Sequence, residues 1–289
     1  YTAYTPYQPE ISQGTLQTIF EYQSMICALT GMDVSNASHY DGATSLAEAV
    51  ITAISEARGK RHKIVISPGV HPEYRDVVRT YTQGMKLTVT GDGADAADIG
   101  ALVEMVDQDT ACVIVQNPAF TGELHDCTEV RALADTTHEH KGLFVVVADP
   151  ISLGMFLAPA DYGADIVCGE GQVLGGGLNF GGPYLGYFAC KKKLVHKIAG
   201  RIVGETVDTR GERGFVLTLS AREQHIRRER ATSNICSNEA LMTLAAGVYL
   251  TAMGKTGLRK VAELCYHKAH YAARQLSVLP GYELLNDHP

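Results

Sequence analysis

An α/β fold with a mostly parallel sheet flanked by helices is what this sequence predicts, on three observations. Six short β-branched segments are apolar throughout rather than alternating: Lys63–Ser67, Lys86–Thr90, Cys112–Gln116, Leu143–Ala148, Asp165–Cys168 and Tyr184–Cys190. Such runs suit strands covered on both faces, as in a parallel sheet. Helical patterns fill most of the intervals, and strand–helix alternation means layers of helices on a sheet. An acid, Asp149, closes the most apolar segment, at the strand end where open α/β sheets keep ligands.

The helices are predicted in order. Ser45 and Glu48 have capping-box spacing; Leu46, Val50 and Ile54 then repeat on one face of a helix that ends near Gly59. Further helices are expected over Glu73–Gln83, Asp98–Asp107 and Asp126–His140. After Cys190 the chain turns basic and polar, with few strand signals. Two long helices follow, Asn238–Met253 stopped by Gly254 and Leu258–Leu279 stopped by Pro280. The expected organisation is a large α/β domain over 1–200 with an extended N-terminal arm, then a helical connection and a partial small C-terminal domain over 201–289.

The 289 residues suffice for one large or two smaller domains, and 45% hydrophobic with 20% charged content is that of a globular protein. The net charge of −7 is unevenly spread: residues 1–190 hold 23 acids against 9 bases, and residues 191–230 hold 11 bases against 5 acids. An acidic chain argues against nucleic acid as the main partner. The basic stretch suits an acidic protein or internal pairing. Seven cysteines form no C-x-x-C pair, and three lie in apolar runs, as buried reduced thiols do in the cytoplasm. No apolar run reaches the roughly 18 residues of a membrane span. The chain opens on Tyr1 without a Met, which raises the expectation of a fragment of a longer protein.

Three segments carry candidate chemistry. The arm before the first helix sets Tyr4, Tyr7, Gln8 and Glu10 among Pro6 and Pro9, which force an extended path. Ser38, Gly42 and Thr44 precede a helix start, where free N–H groups form an anion site, although an ordinary capped helix is the commoner use of such a segment. Asp149 has the position of the acid that pairs with a pyridinium nitrogen in pyridoxal-phosphate enzymes. That chemistry also needs a Schiff-base lysine. No Lys occurs from Gly142 to Cys190; the next strand runs instead into a glycine-rich stretch containing Gln172. The stretch lacks the dinucleotide-binding fingerprint, no G-x-S-x-G elbow occurs, and His138 and His140 have no third ligand in view, so no metal is expected.

Taken together the motifs resemble the glycine cleavage system P-protein family, in the subunit 1 or α-type version. The resemblance rests on Tyr4-Thr-Pro-Tyr-Gln-Pro-Glu-Ile-Ser-Gln-Gly14, Gln23–Ile26, Asn36–Ser38, Asp41–Thr44 and Gln224-His-Ile-Arg-Arg-Glu-Arg-Ala-Thr-Ser-Asn-Ile-Cys236. It covers nearly the whole chain and implies the middle part of a longer α chain. It implies a fold-type-I pyridoxal-phosphate transferase-like large domain. It further implies glycine decarboxylation with transfer of the aminomethyl group to the lipoyl arm of H-protein, pyridoxal 5'-phosphate lying in a partner β chain (subunit 2) of an α2β2 heterotetramer. On this resemblance Gln172 or Val173 takes the lysine's place, Asp149 that of the pyridinium partner, and Ser38, Gly42 and Thr44 complete a vestigial cofactor site. No catalytic residue is expected in this chain. The Tyr4–Glu10 arm is expected to line the lipoyl tunnel, and the basic 191–230 stretch to attract H-protein. A purely structural scaffold, or a self-sufficient desulfurase or aminotransferase, are the competing readings.

Overall fold

The computed structural model describes residues 8–93, 98–237 and 239–284. Its sheet has seven strands: β1 (Val34–Ser35), β2 (Lys63–Ile66), β3 (Thr88–Thr90), β4 (Thr110–Gln116), β5 (Leu143–Val147), β6 (Ile166–Glu170) and β7 (Gly186–Cys190). Their order across the sheet is β1-β7-β6-β5-β4-β2-β3. β3, β2, β4, β5 and β6 run parallel, whereas β7 is antiparallel to both neighbours. All six predicted strands are in this sheet, which is mainly parallel and flanked by helices. The two-residue β1 lies outside the predicted set, because a pair of residues carries no period.

Unbroken apolar runs make sense once both faces are covered. Along β4 and β5, Val113, Val115, Phe144 and Val146 face one core, while Cys112, Ile114, Val145 and Val147 face the other. The first core is closed by α1 (Gln13–Thr30), α4 (Ile99–Glu104), α5 (Cys127–Glu139) and α7 (Ala240–Leu276). The second is closed by α2 (Gly42–Glu56) and α3 (Pro72–Thr82), through Leu46, Val50 and Val78. A short α6 (Gln224–Arg227) precedes α7.

Two local expectations are corrected. α2 starts at Gly42, not at Ser45. Asp41 accepts the Thr44 amide at 2.7 Å and Thr44 Oγ1 accepts the Asp41 amide at 3.1 Å, a complete capping box. Ser45 and Glu48 are buried inside the helix, where their spacing serves packing. The second correction concerns the basic stretch, which holds a β-hairpin of β8 (Ile202–Val207) and β9 (Arg213–Thr218). Only Val203 and Phe215 point firmly inward, so the strand signal is thin. Two side chains of α1 hold the hairpin. Gln23 bonds both backbone groups of Val203 at 3.0 Å, and Gln13 does the same for Phe215 at 3.0 and 2.8 Å. Each amide satisfies a strand edge that would otherwise be bare.

The two predicted C-terminal helices form α7, bent where predicted: Gly254 sits at φ 59° and ψ −177°, a conformation its missing Cβ permits. α7 and the hairpin both pack on α1 and share its core.

Candidate functional site

The carboxyl ends of the parallel strands form the candidate site, and its centre is Glu170, the last residue of β6. Glu170 Oε2 accepts the Gly42 amide at 3.0 Å; Oε1 accepts the Gln172 and Leu185 amides, each at 2.9 Å. Gly42 is the first residue of α2, so the positive end of that helix is met by the chain's own carboxylate. Glycine is required there by close approach: a Cβ would lie 2.3 Å from Tyr74 Oη and 2.7 Å from the Glu170 amide. Among the described residues Glu170 has no ion-pair partner. Burial pushes its carboxyl up, against the pull of three backbone donors, and Asp41 adds to the rise.

The surroundings are acidic. Glu239 is pushed up to about 7 by burial and by the carboxylates of Glu170 and Asp41. The Tyr74 hydroxyl rises above the usual phenol range through burial, with Glu170, Asp41 and Asp149 among the neighbours adding to it. Asp149 follows β5 and accepts the Ile151 amide at 2.8 Å. Its carboxylate opens onto a cavity, yet the protein crowded round it raises its proton affinity by burial. That cavity, about 680 Å³, is lined mostly by apolar groups, among them Phe120, Val173, Tyr249 and Tyr266. Gln172 points elsewhere: its Nε2 donates to the Gly177 carbonyl at 3.0 Å. Asp149 and Val173 therefore share the cavity, while Gly42 and Thr44 belong to the Glu170-capped helix start. Ser38 is buried beside Gly200.

A second cluster gathers the remaining motifs around Arg201. Its guanidinium lies 3.9 Å from Glu10 and 2.5 Å from the buried Glu223, and Nη2 donates to Ser237 Oγ at 3.0 Å. Ser233 donates to Glu48 at 2.6 Å, and Asn36 Nδ2 to the Ala199 carbonyl at 2.9 Å. Of the arm residues, Tyr4 and Tyr7 lie outside the described residues; Gln8 is exposed, and Glu10 reaches Arg201. Much of the basic stretch is paired internally. Lys191 and Lys193 meet Asp165, Arg210 meets Asp208 and Glu212, Arg213 meets Glu205, and Arg222 donates to backbone carbonyls. Lys192, Arg227 and Arg228 are exposed and have no ion pair among the described residues.

Glu170 and Tyr74 are site residues the sequence reading missed. An acid closing a strand was the available signal at Glu170, the same signal that singled out Asp149. Tyr74 carried none, because only the folded chain brings α3 against the start of α2.

Sheet order, antiparallel β7 and two helical layers define the class: a fold-type-I pyridoxal-phosphate enzyme scaffold. The profile described as "Glycine cleavage system P-protein" matches residues 1–288, and the chain belongs to that family. It is 56% identical over 283 residues to a protein of Moorella thermoacetica named probable glycine dehydrogenase (decarboxylating) subunit 1, covering 97% of this chain and 63% of that one. A relative of the same name from Carboxydothermus hydrogenoformans is 55% identical over 291 residues, covering 100% of this chain and 64% of the relative. The chain thus spans just under two thirds of these relatives. A crystal structure of glycine decarboxylase (P-protein) of the glycine cleavage system, in inhibitor-bound form, superposes with a TM-score of 0.88 at 45% identity, over 99% of this chain and 64% of that one. A sphingosine-1-phosphate lyase of Burkholderia pseudomallei K96243 superposes at 0.69 with 13% identity, a likeness of fold alone.

Covalently held pyridoxal phosphate does not fit the residues present. No lysine follows Asp149 before Lys191. A phosphate at the start of α2 would meet Glu170 already bonded to the Gly42 amide, with Asp41 and Glu239 beside it. Like charges at such distances in a partly buried site repel by about a kcal/mol or more.

Proposed function

We propose that this chain is the α-type, lysine-less subunit of a glycine dehydrogenase (decarboxylating) of the glycine cleavage system. The overall reaction is decarboxylation of glycine with transfer of the aminomethyl group to the lipoyl arm of H-protein. Pyridoxal phosphate is assigned to a β-type chain, subunit 2, in an α2β2 assembly. The observation that carries the reading is Glu170: the first amide of the helix that would receive a phosphate is taken by the chain's own carboxylate, and Gln172 or Val173 stands where a lysine would be needed.

In this reading the chain contributes walls rather than a reacting group. Tyr4, Tyr7, Gln8 and Glu10 line the passage for the lipoyl arm; the pairing of Glu10 with Arg201, which ties the arm to the Glu223–Ser237 motif, supports that placement. Ser38, Gly42, Thr44, Asp149 and Gln172 are remnants of a cofactor site. Residues 1–200 make the large domain and 201–289 begin the small one. Seven free thiols suit the reducing cytoplasm.

The test is reconstitution. Glycine decarboxylation with lipoylated H-protein is expected only when this chain and subunit 2 are combined. Replacing Tyr4 and Tyr7 by Phe should lower turnover; unchanged turnover favours a purely structural subunit. Borohydride reduction with pyridoxal phosphate, read by mass spectrometry, should label no lysine of this chain. Stoichiometric labelling of one lysine would sink the assignment.

A further inference from the structure

Between β6 and β7 the chain leaves the sheet at Gly171 and returns at Leu185. Residues 171–190 carry no charged side chain at all. Leu174 and Leu185 seat the loop in the core, whereas its middle faces solvent: Leu178 is 84% exposed and Phe180 is wholly exposed, with Val173 and Tyr184 part of the same outward set. Asn179 and Phe180 hold φ values of 39° and 58°, a left-handed backbone that L-residues rarely adopt.

Yet the loop is built, not slack. Gly176 donates to the Gln172 carbonyl at 2.8 Å, Gln172 Nε2 to the Gly177 carbonyl at 3.0 Å, and Gly181 to the Leu178 carbonyl at 2.8 Å. Its two ends are joined by the Gly171 amide on the Leu185 carbonyl at 2.6 Å. Glu170 clasps both ends again through the Gln172 and Leu185 amides. A half-buried carboxylate without a cation thus clasps the base of a loop whose Leu178 and Phe180 stand in solvent.

We infer that the 171–185 loop is the anchor by which this chain docks on subunit 2, Leu178 and Phe180 entering an apolar pocket rimmed by Lys or Arg. The inference rests on the proposed α-type role. Burial of two such large apolar side chains is the main source of affinity at an interface. A preordered, charge-free loop loses little on docking, since its conformation is already set and no ion is desolvated. Charge selects the occupant. Glu170 stands at the base of the loop, bonded to both of its ends and to the Gly42 amide directly after Asp41, so two carboxylates sit side by side there. A second copy of this chain, meeting the loop about a two-fold axis, would bring two such acidic sets together, whereas a basic rim on a different chain would complement them.

The test is binding of subunit 2 to the wild-type chain and to the double variant Leu178→Ser/Phe180→Ser, by sedimentation or calorimetry. The double variant should bind at least about tenfold more weakly, while its own thermal unfolding is unchanged, because both side chains stand in solvent. Phe180→Tyr should retain wild-type affinity, since its ring still fills the pocket. Glu170→Gln should weaken binding by a smaller factor and expose residues 171–185 to protease. Wild-type affinity in the double variant overturns the anchor and leaves the subunit assignment standing. Failure of the wild-type chain to bind subunit 2 overturns both. If the double variant instead dissolves a dimer of this chain and still binds subunit 2 normally, the occupant is a second copy and the inference is wrong.

Discussion

Asp165 and Glu170 stand at opposite ends of the same strand, and the chain treats them in opposite ways. Asp165, directly before β6, is fully buried and ringed by two lysines and a histidine: His138 Nε2 at 2.7 Å, Lys193 at 2.9 Å and Lys191 at 3.1 Å, with the Phe144 amide at 3.0 Å. Burial alone would raise its carboxyl, but the bonds from His138, Lys193 and Phe144 and the Lys191 charge outweigh it and hold it far below the usual range. Glu170 closes the strand without a cation, and its proton affinity rises. The amino end of the sheet is compensated, as a structural lock is. The carboxyl end keeps a carboxylate held by backbone amides alone, together with exposed apolar groups, the condition of a surface completed by something else.

The sharpest way to break this contrast is Asp165→Asn. It removes the anion that Lys191, Lys193 and His138 face and should lower the unfolding free energy by about 3 kcal/mol, read as an earlier urea midpoint with an unchanged slope. Glu170→Gln leaves three amides with one carbonyl acceptor, and a cost of about 2 kcal/mol is expected. Its signature is local: amide exchange should speed up around 171–185 more than in β4 or β5. An exchange pattern spread evenly over the sheet would show that Glu170 is another lock.

The pH dependence of the two regions should have opposite signs. The folded-state affinity of Asp165 is depressed, so its contribution is complete above the ordinary aspartate range and fades as pH falls through and below about 4. Burial pushes Glu48 from 4.5 up to about 7, against its bond from Ser233, and Glu239 also rises to about 7. These acids ionise in the unfolded chain first, so each lowers stability as pH rises from 4.5 to about 7, then no further. Glu48→Gln should flatten that decline and raise stability at pH about 8 by roughly 1–2 kcal/mol. Melting curves across that interval check it. The smallest effect belongs to the hairpin tip: Arg210→Ala, which loses only solvent-exposed ion pairs, should leave the melting temperature unchanged within error.

The legibility of this fold follows burial. β4 and β5 are covered on both faces, so almost any apolar β-branched run there advertises itself. The hairpin at 202–218 stayed hidden because one face is wet and its edges are satisfied by Gln13 and Gln23, residues distant in sequence. The cap of α2 was misplaced by one turn because Ser45 and Glu48 copy the spacing of Asp41 and Thr44 without their contacts. Asp149 was found since an acid after an apolar strand is a local signal, and the missing lysine was visible as an absence in 142–190.

By itself, then, the sequence determined the layered α/β class, six strands of the sheet, the bend at Gly254 and the lack of an amine after Asp149. All of these follow from local pattern and residue identity. Only the tertiary structure decided that Glu170 accepts the first amide of α2, that Asp165 gathers two lysines and a histidine, and that Leu178 and Phe180 stand in solvent. Those outcomes depend on which distant groups share one desolvated volume, and Coulomb energies and hydrogen bonds there are set by distances that no sequence spacing encodes.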